Sequence, residues 1–319
     1  VALGDIEKSV MIANSLGEWL EDEAARVRLT VNVVAAADGI IQTGMEAIAA
    51  SSGWEVLEET SPEELAQKAA ARALLMLKAR PCPAARMPVI LSSRAGGTMV
   101  HEACGHGLEA DLVQKGLSVY AGKIGSKVAA ECVSVVDDAT LPGRYGSFRF
   151  DDEGVPAQRT VLIERGVLVG FMYDRLTAGK DGVPSTGNGR RESYQHKPIP
   201  RMTNTLIAPG GDDPGAIIAG TRRALLVVKM GGGQVNTTNG DFVFDVPEAY
   251  MIENGEVAYP VRGATLIGNG PQVLQDIEAV GSDLGFSVGQ CGKDGQAVPV
   301  ADAQPTLRIR QLTVGGTSV

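Results

Sequence analysis

Three histidines occur in this 319-residue chain, and two of them bracket a carboxylate in the segment His101-Glu102-Ala-Cys-Gly-His106. Imidazole is the commonest protein ligand for zinc, and a neighbouring carboxylate can serve as a general base, so the segment reads as the core of a zinc hydrolase site. In the zinc helix His-Glu-x-x-His, the two imidazoles are four residues apart and lie about 40° from one another on one face. Here they are five residues apart, which on a regular α-helix sets them about 140° apart. The spacing therefore predicts a distorted turn. A π-bulge between His101 and His106 would restore a common face, and Gly105 and Gly107 would ease an irregular backbone.

Glu102, next to the first histidine, is placed to take a proton from water activated by the metal and deliver it to a leaving amine. The competing interpretation is two histidines packed by chance on a helix. A purely structural zinc would favour more cysteine ligands and has no use for a free carboxylate beside it. At least one further protein ligand is required, and Glu109, Asp111, Cys104 and Cys291 are the candidates. Residue chemistry alone places Cys291, in the glycine-flanked segment Val288-to-Gln296 read as a loop, only slightly ahead of Glu109.

The elements that must position these residues can be outlined from the sequence. Alternation over Arg26-to-Val33 puts Val27, Leu29, Val31 and Val33 on one face of a strand. Ser61-Pro62-Glu63-Glu64 supplies a cap, a first-turn proline and a capping-box acid, predicting a helix over residues 62–80. Val89-Ile-Leu91 is a short buried strand leading to Gly96-Gly97. Further strands are expected at Val128 to Val136, in a hairpin of Thr160–Glu164 with Val167–Tyr173 across Arg165-Gly166, and at Ala249–Glu253 turning at Asn254-Gly255. A second helix is expected from Pro214 towards Arg223. The fold class is α+β. A domain boundary is expected near residue 86, and the part beyond it reads as a mainly antiparallel β system carrying the zinc-site helix.

Composition narrows the class of function. With 29 basic against 38 acidic residues, the net charge of −9 opposes a nucleic-acid footprint. No run approaches the roughly 18 apolar residues of a membrane span, and the opening residues lack the basic-then-apolar layout of a secretory signal, so a cytoplasmic location is expected. Four scattered cysteines do not make a disulfide framework, and 40 glycines point to many tight turns.

Three stretches together resemble the TldD/PmbA family of metallopeptidases, specifically its metal-carrying TldD type. They are Gly96-Gly-Thr-Met-Val-His-Glu-Ala-Cys-Gly-His-Gly-Leu-Glu-Ala-Asp111, Arg190-Arg-Glu-Ser-Tyr-Gln-His-Lys-Pro-Ile-Pro-Arg-Met-Thr-Asn-Thr205 and the Cys291 segment. The resemblance implies a zinc held by His101, His106 and Cys291 with Glu102 as base, and it raises Cys291 well above Glu109. It also implies that residues 1–86 are the remainder of an N-terminal α/β domain, part of which this chain lacks, and that residues 87–319 are a C-terminal metallopeptidase domain. The implied assembly is a homodimer, or a heterodimer with a PmbA/TldE-type subunit, acting on unfolded or leader peptides.

Arg191, Tyr194 and His196 are candidate substrate or oxyanion contacts, set against the alternative of a solvated, proline-containing loop. Gly231-to-Gly240 is either a hairpin connection or an edge onto which a peptide adds as a strand. Asp151-Asp152-Glu153-Gly154 lacks the ligand spacing of a calcium loop and reads as a turn. The expected activity is zinc-dependent hydrolysis of extended peptides. The alternatives are an amidohydrolase of a small peptide-like metabolite and a non-catalytic interaction subunit ordered by its metal.

Overall fold

The computed structural model describes residues 1–316. Its first layer is a three-stranded antiparallel sheet of Ala2–Ala13, Trp19–Ala37 and Ile40–Ala50, in that order. Val27, Leu29 and Val31 are buried as the alternation required, with Leu29 and Val31 packed on Leu65 and Ala69 of the helix Pro62–Lys78. Ser61 caps that helix by accepting from the Glu64 amide at 3.1 Å. The helix stops at Lys78 rather than residue 80 because Ala79 is extended and Arg80–Pro81 pairs as a short parallel strand with Val261–Arg262. A residue preceding proline is disfavoured in the α region, so this exit is written into Arg80-Pro81.

The rest of the chain builds two larger sheets. One runs through Gly233–Val235, Asp241–Val246, Ala264–Asn269, Leu307–Gly315, Ala85–Leu91, Arg223–Lys229, Glu248–Glu253, Glu256–Arg262 and Arg80–Pro81, with Ile277–Val280 also paired to Leu307–Gly315. The other has six strands: Gly285–Lys293, Gln296–Gln304, Asn204–Ile207, Val135–Asp138, Arg159–Glu164 and Val167–Leu168. Most pairings are antiparallel. The irregular helical segment from Thr98 to Leu108 belongs to the core they share, where Met99, Val100, Ala103, Cys104 and Leu108 join Val89, Leu91, Val298 and Val300.

Several expected elements are shorter than the sequence implied. Of Val128–Val136, only the end enters a strand, Val135–Asp138. Val128, Ala129 and Val133 are buried nonetheless, held by loop hydrogen bonds to Gly166 rather than by a ladder. Apolar runs report burial, and burial here is met without pairing. The hairpin turns at Arg165-Gly166, both at positive φ, but its second strand ends at Leu168, where Val169 and Gly170 both donate to the Leu162 carbonyl. The helix from Pro214 ends at Ala219, and Arg223–Lys229 is a central strand. Gly220 follows that helix directly. The strand Glu248–Glu253 does turn at Asn254-Gly255, again with both residues at positive φ.

A buried ion cluster joins the first layer to the large sheet. Arg72 of the long helix donates to Glu248 at 2.7 Å and to the Met45 carbonyl at 2.8 Å, and it pairs with Glu46, which also meets Lys229 at 3.1 Å. Burial pushes the Glu46 carboxyl up, but Lys229 and Arg72 outweigh it and hold it below its ordinary 4.5. A carboxyl depressed in the folded state contributes stability above its unfolded pKa and loses it as pH falls. Arg72→Met should therefore lower stability at neutral pH by about 3–5 kcal/mol. In denaturant titrations, the gap to wild type should narrow as the pH drops below 4.5; a pH-independent gap would contradict the role given to Glu46.

Candidate metal centre

The segment before the histidines is docked by a glycine. The Gly97 amide donates to the Asp302 carbonyl at 3.2 Å, and a Cβ at Gly97 would stand 2.2 Å from the Ala303 nitrogen. Helix begins at Thr98, and the His101 amide donates to the Gly97 carbonyl at 3.0 Å, one turn above that contact. From His101 to Gly105 the backbone is π-helical, and the His106 amide donates to the His101 carbonyl. This i to i+5 bond is the distortion the spacing demanded. The two rings lie with centroids 4.9 Å apart at 84°. Gly105, at φ −51°, is not there for backbone freedom: a Cβ would meet the Met202 sulfur at 2.2 Å. Its role is close packing, which corrects the expectation from sequence. The buried Tyr120 hydroxyl donates to the Ala103 carbonyl at 3.0 Å, within the irregular turn.

Both imidazoles are oriented by carboxylates. His101 Nδ1 lies 2.8 Å from Asp302 Oδ1, and His106 Nδ1 lies 3.1 Å from Glu109 Oε2. An ionised carboxylate only accepts, so each Nδ1 carries the hydrogen and each Nε2 is left free to act as a ligand. His106 Nε2 stands 3.5 Å from Cys291 Sγ, and one ligand atom from each of His101, His106 and Cys291 falls within 4.8 Å of the others. Two imidazole nitrogens and a thiol sulfur suit a borderline-soft divalent cation. In the chain without a cation, burial opposes ionisation of the Cys291 thiol, but the two histidines pull it down to about 5. Burial likewise pushes Glu109 up, while His106, Lys293 and Arg201 bring it down to about 2. Glu102, half-buried beside the cluster, is raised by burial against the opposing pull of both histidines.

Cys291 does not lie on a loop. It sits within the strand Gly285–Lys293, opposite Val298 of Gln296–Gln304, and the hairpin turns at Asp294-Gly295 with both residues at positive φ. An aspartate-glycine pair is a strong hairpin signal, and it sets the thiol on rigid backbone. The other ligand candidates are otherwise engaged. Glu109 holds the far side of the His106 ring, Asp111 pairs with Lys293 at 2.6 Å, and buried Cys104 donates to the Val100 carbonyl with its thiol pushed up to about 12.

Arg191, Tyr194 and His196 lie between the paired strands Gly189–Arg190 and Ile199–Pro200. Tyr194 is 82% exposed, His196 Nδ1 lies 3.0 Å from the Ser193 hydroxyl, and the Arg191 amide donates to Asp152 at 2.9 Å. Arg191 lines a cleft of about 360 Å³ under the N-terminal sheet, with Phe148, Arg26 and Gln290. Among the described residues, no hydrogen bond joins these three to the histidine and cysteine cluster. Asp302, Lys293 and Arg201 were not singled out from the sequence. The available signal was a lone carboxylate in the apolar run Val298-Pro-Val-Ala-Asp-Ala303 and a lysine two residues past the cysteine.

Two carboxylate-backed histidines on an irregular helical turn thus meet a strand cysteine in an α+β core, a donor set of the kind found in metallohydrolases. Residues 84–316 match the PmbA/TldA metallopeptidase C-terminal domain and residues 1–77 the central domain. The chain belongs to the PmbA/TldD metallopeptidase family. It is 42% identical over 324 residues to a metalloprotease TldD homolog of Haemophilus influenzae, covering 99% of this chain and 67% of that protein. It is 40% identical over 317 residues to a metalloprotease of Methanothermobacter thermautotrophicus, covering 99% and 69%. A zinc metalloprotease TldD homolog of Saccharolobus solfataricus is 35% identical over 246 residues, covering 77% and 55%. The chain thus spans about two thirds of the length of the first two relatives and about half of the third. Among solved structures, a Thermotoga maritima protein described as a candidate modulator of a DNA gyrase superposes with TM-score 0.82 at 27% identity, covering 98% of this chain and 68% of that one. TldE from Thermococcus kodakarensis shares the fold, with TM-score 0.74 at 22% identity, covering 96% and 66%.

Docking of the helix start through Gly97 has a direct test. Gly97→Ala should lower stability by about 1–3 kcal/mol through overpacking. Gly292→Ala, beside Cys291 but with nothing within 4 Å of the added carbon, should stay within about 0.5 kcal/mol of wild type. Denaturant midpoints compare the two; equal losses would show that the close approach at Gly97 is not what holds the turn.

Proposed function

We propose that this chain is the catalytic, zinc-holding part of a peptidase that cleaves unfolded or leader peptides bound in extended form. The observation that carries the reading is the convergence of His101, His106 and Cys291 with Glu102 adjacent in sequence to the first of them. The donor set fits zinc, with His101 Nε2, His106 Nε2 and Cys291 Sγ as the atoms that would hold it. A bound zinc supplies Lewis-acid polarisation of the scissile carbonyl and acidification of water. Asp302 and Glu109 keep the two imidazoles in the tautomer that leaves Nε2 available. Glu102 takes the proton of the attacking water on its carboxylate and returns it to the leaving amine nitrogen. The Saccharolobus solfataricus relative is named a zinc metalloprotease.

Substrate is held by strand addition. Gly233–Val235 is the outer strand of the large sheet, its Gly233 and Gln234 are exposed, and it packs against the segment His101–Gly105. Main-chain pairing along that edge tolerates varied side chains, as a peptidase acting on unfolded chains requires. Arg191, Tyr194 and His196 remain proposed contacts for more distant parts of the substrate. The working assembly is a homodimer or a pair with a TldE-type subunit, and the location is cytoplasmic. No helix among the described residues is long and apolar enough to cross a membrane.

The experiment is Glu102→Gln with zinc content and peptide turnover measured on one preparation. Zinc should be retained at the wild-type level while hydrolysis of an unstructured peptide library falls about 10²–10⁴-fold. Wild-type turnover in this variant would remove Glu102 as the base. A wild-type chain that binds zinc but turns over neither peptides nor small amides would favour the non-catalytic alternative.

A further inference from the structure

Lys293 stands two residues beyond Cys291 on the same strand, so both side chains project from one face. Its side chain is 7% exposed, and its ammonium donates to Asp111 Oδ1 at 2.6 Å and to the Pro200 carbonyl at 3.0 Å and pairs with Glu109 Oε2 at 3.1 Å. Three oxygens thus surround the buried ammonium, two of them as hydrogen-bond acceptors.

The Glu109 oxygen that meets Lys293 is the same atom that lies 3.1 Å from His106 Nδ1. Glu109 is fully buried, and a second cation approaches its other oxygen, Arg201 Nε at 3.9 Å. Arg201, also fully buried, donates to the backbone carbonyl of Cys291 and, at 3.3 Å, to that of Gln296. Two routes thus lead from the carboxylate that orients His106 to the strand that carries Cys291. One passes through Lys293 and the other through Arg201.

We propose that Lys293 is a positioning residue of the metal centre, locking the Cys291 strand to the helical end carrying His106 through their shared contact with Glu109. The proposal rests on the ligand set given above. The two ligands are separated by 185 positions in sequence, and nothing local to either fixes their distance. A buried ammonium between the Glu109 and Asp111 carboxylates, both tied to the end of the histidine segment, fixes the strand against that end. Charge-assisted hydrogen bonds are short and directional, which suits them to this task better than apolar packing.

The test uses the full chain, with zinc affinity measured by competition against a chromophoric chelator and the thiolate-to-metal absorption band followed after substitution with cobalt(II). Lys293→Met should weaken zinc binding about 10–100-fold, the range found when groups supporting a ligand are removed, and should shift or weaken the cobalt band. Lys293→Gln keeps one donor towards Glu109 and should lie between the two, which preserves the test if the methionine variant folds poorly. In a cycle with Glu109→Gln, the double variant should bind zinc no worse than the weaker single variant, because both act through one contact. Wild-type zinc affinity and an unchanged cobalt band in Lys293→Met would overturn the proposal, as would fully additive losses in the cycle. Failure of the wild-type chain itself to bind zinc would instead overturn the ligand assignment.

Discussion

The hydrogen bond from the His106 amide to the His101 carbonyl sets the separation of the two imidazoles, and the remainder of the site is arranged around it. A regular turn would send His106 about 140° away from His101. The widened turn has poorer intrinsic geometry than an α-helical one, so its surroundings must hold it. They do so at several points: Gly97 against the Asp302 strand, Gly105 against Met202, and the Tyr120 hydroxyl on the Ala103 carbonyl. Each contact comes from a different part of the chain. The irregular segment is therefore a product of tertiary packing as much as of its own sequence.

Around that turn, charge is buried in compensated groups. Asp302 faces His101, while Glu109 lies among His106, Lys293 and Arg201. Unpaired, such groups would be strongly destabilising in a core of this depth. Paired, they fix ring orientation and tautomer, which apolar residues of similar shape would leave free. The same logic recurs at Arg72, Glu46 and Glu248, where buried ions hold the N-terminal sheet and its helix to the large sheet. That cluster bears on how the first layer is held, and the other on how the histidines point.

Much of this was legible in the sequence where the information is local. The five-residue spacing of His101 and His106 is enough to demand a π turn, and Ser61-Pro62 and Asn254-Gly255 name a helix start and a hairpin turn. Non-local facts were not legible. Spacing left Glu109, Asp111, Cys104 and Cys291 open as the further ligand, and only the family resemblance moved Cys291 forward. Its flanking glycines signal a loop, but the Asp294-Gly295 turn closes a hairpin that places it on a strand. Asp302, Lys293 and Arg201 take their partners from sheet order and from packing across the core, where one strand pairs in parallel with a segment about a hundred residues earlier. Val128–Val133 shows the opposite limit, since an apolar run there signalled burial without a strand.

In the proposed centre, two imidazoles from a π turn and a thiolate from a distant strand hold one zinc. Anomalous diffraction from zinc-loaded crystals, collected on both sides of the zinc edge, tests it directly. A single strong peak bonded to His101 Nε2, His106 Nε2 and Cys291 Sγ is expected, with both Nδ1 atoms still on their carboxylates. A peak that leaves out Cys291, or that is ligated by Glu109 or Asp111 in its place, would contradict it.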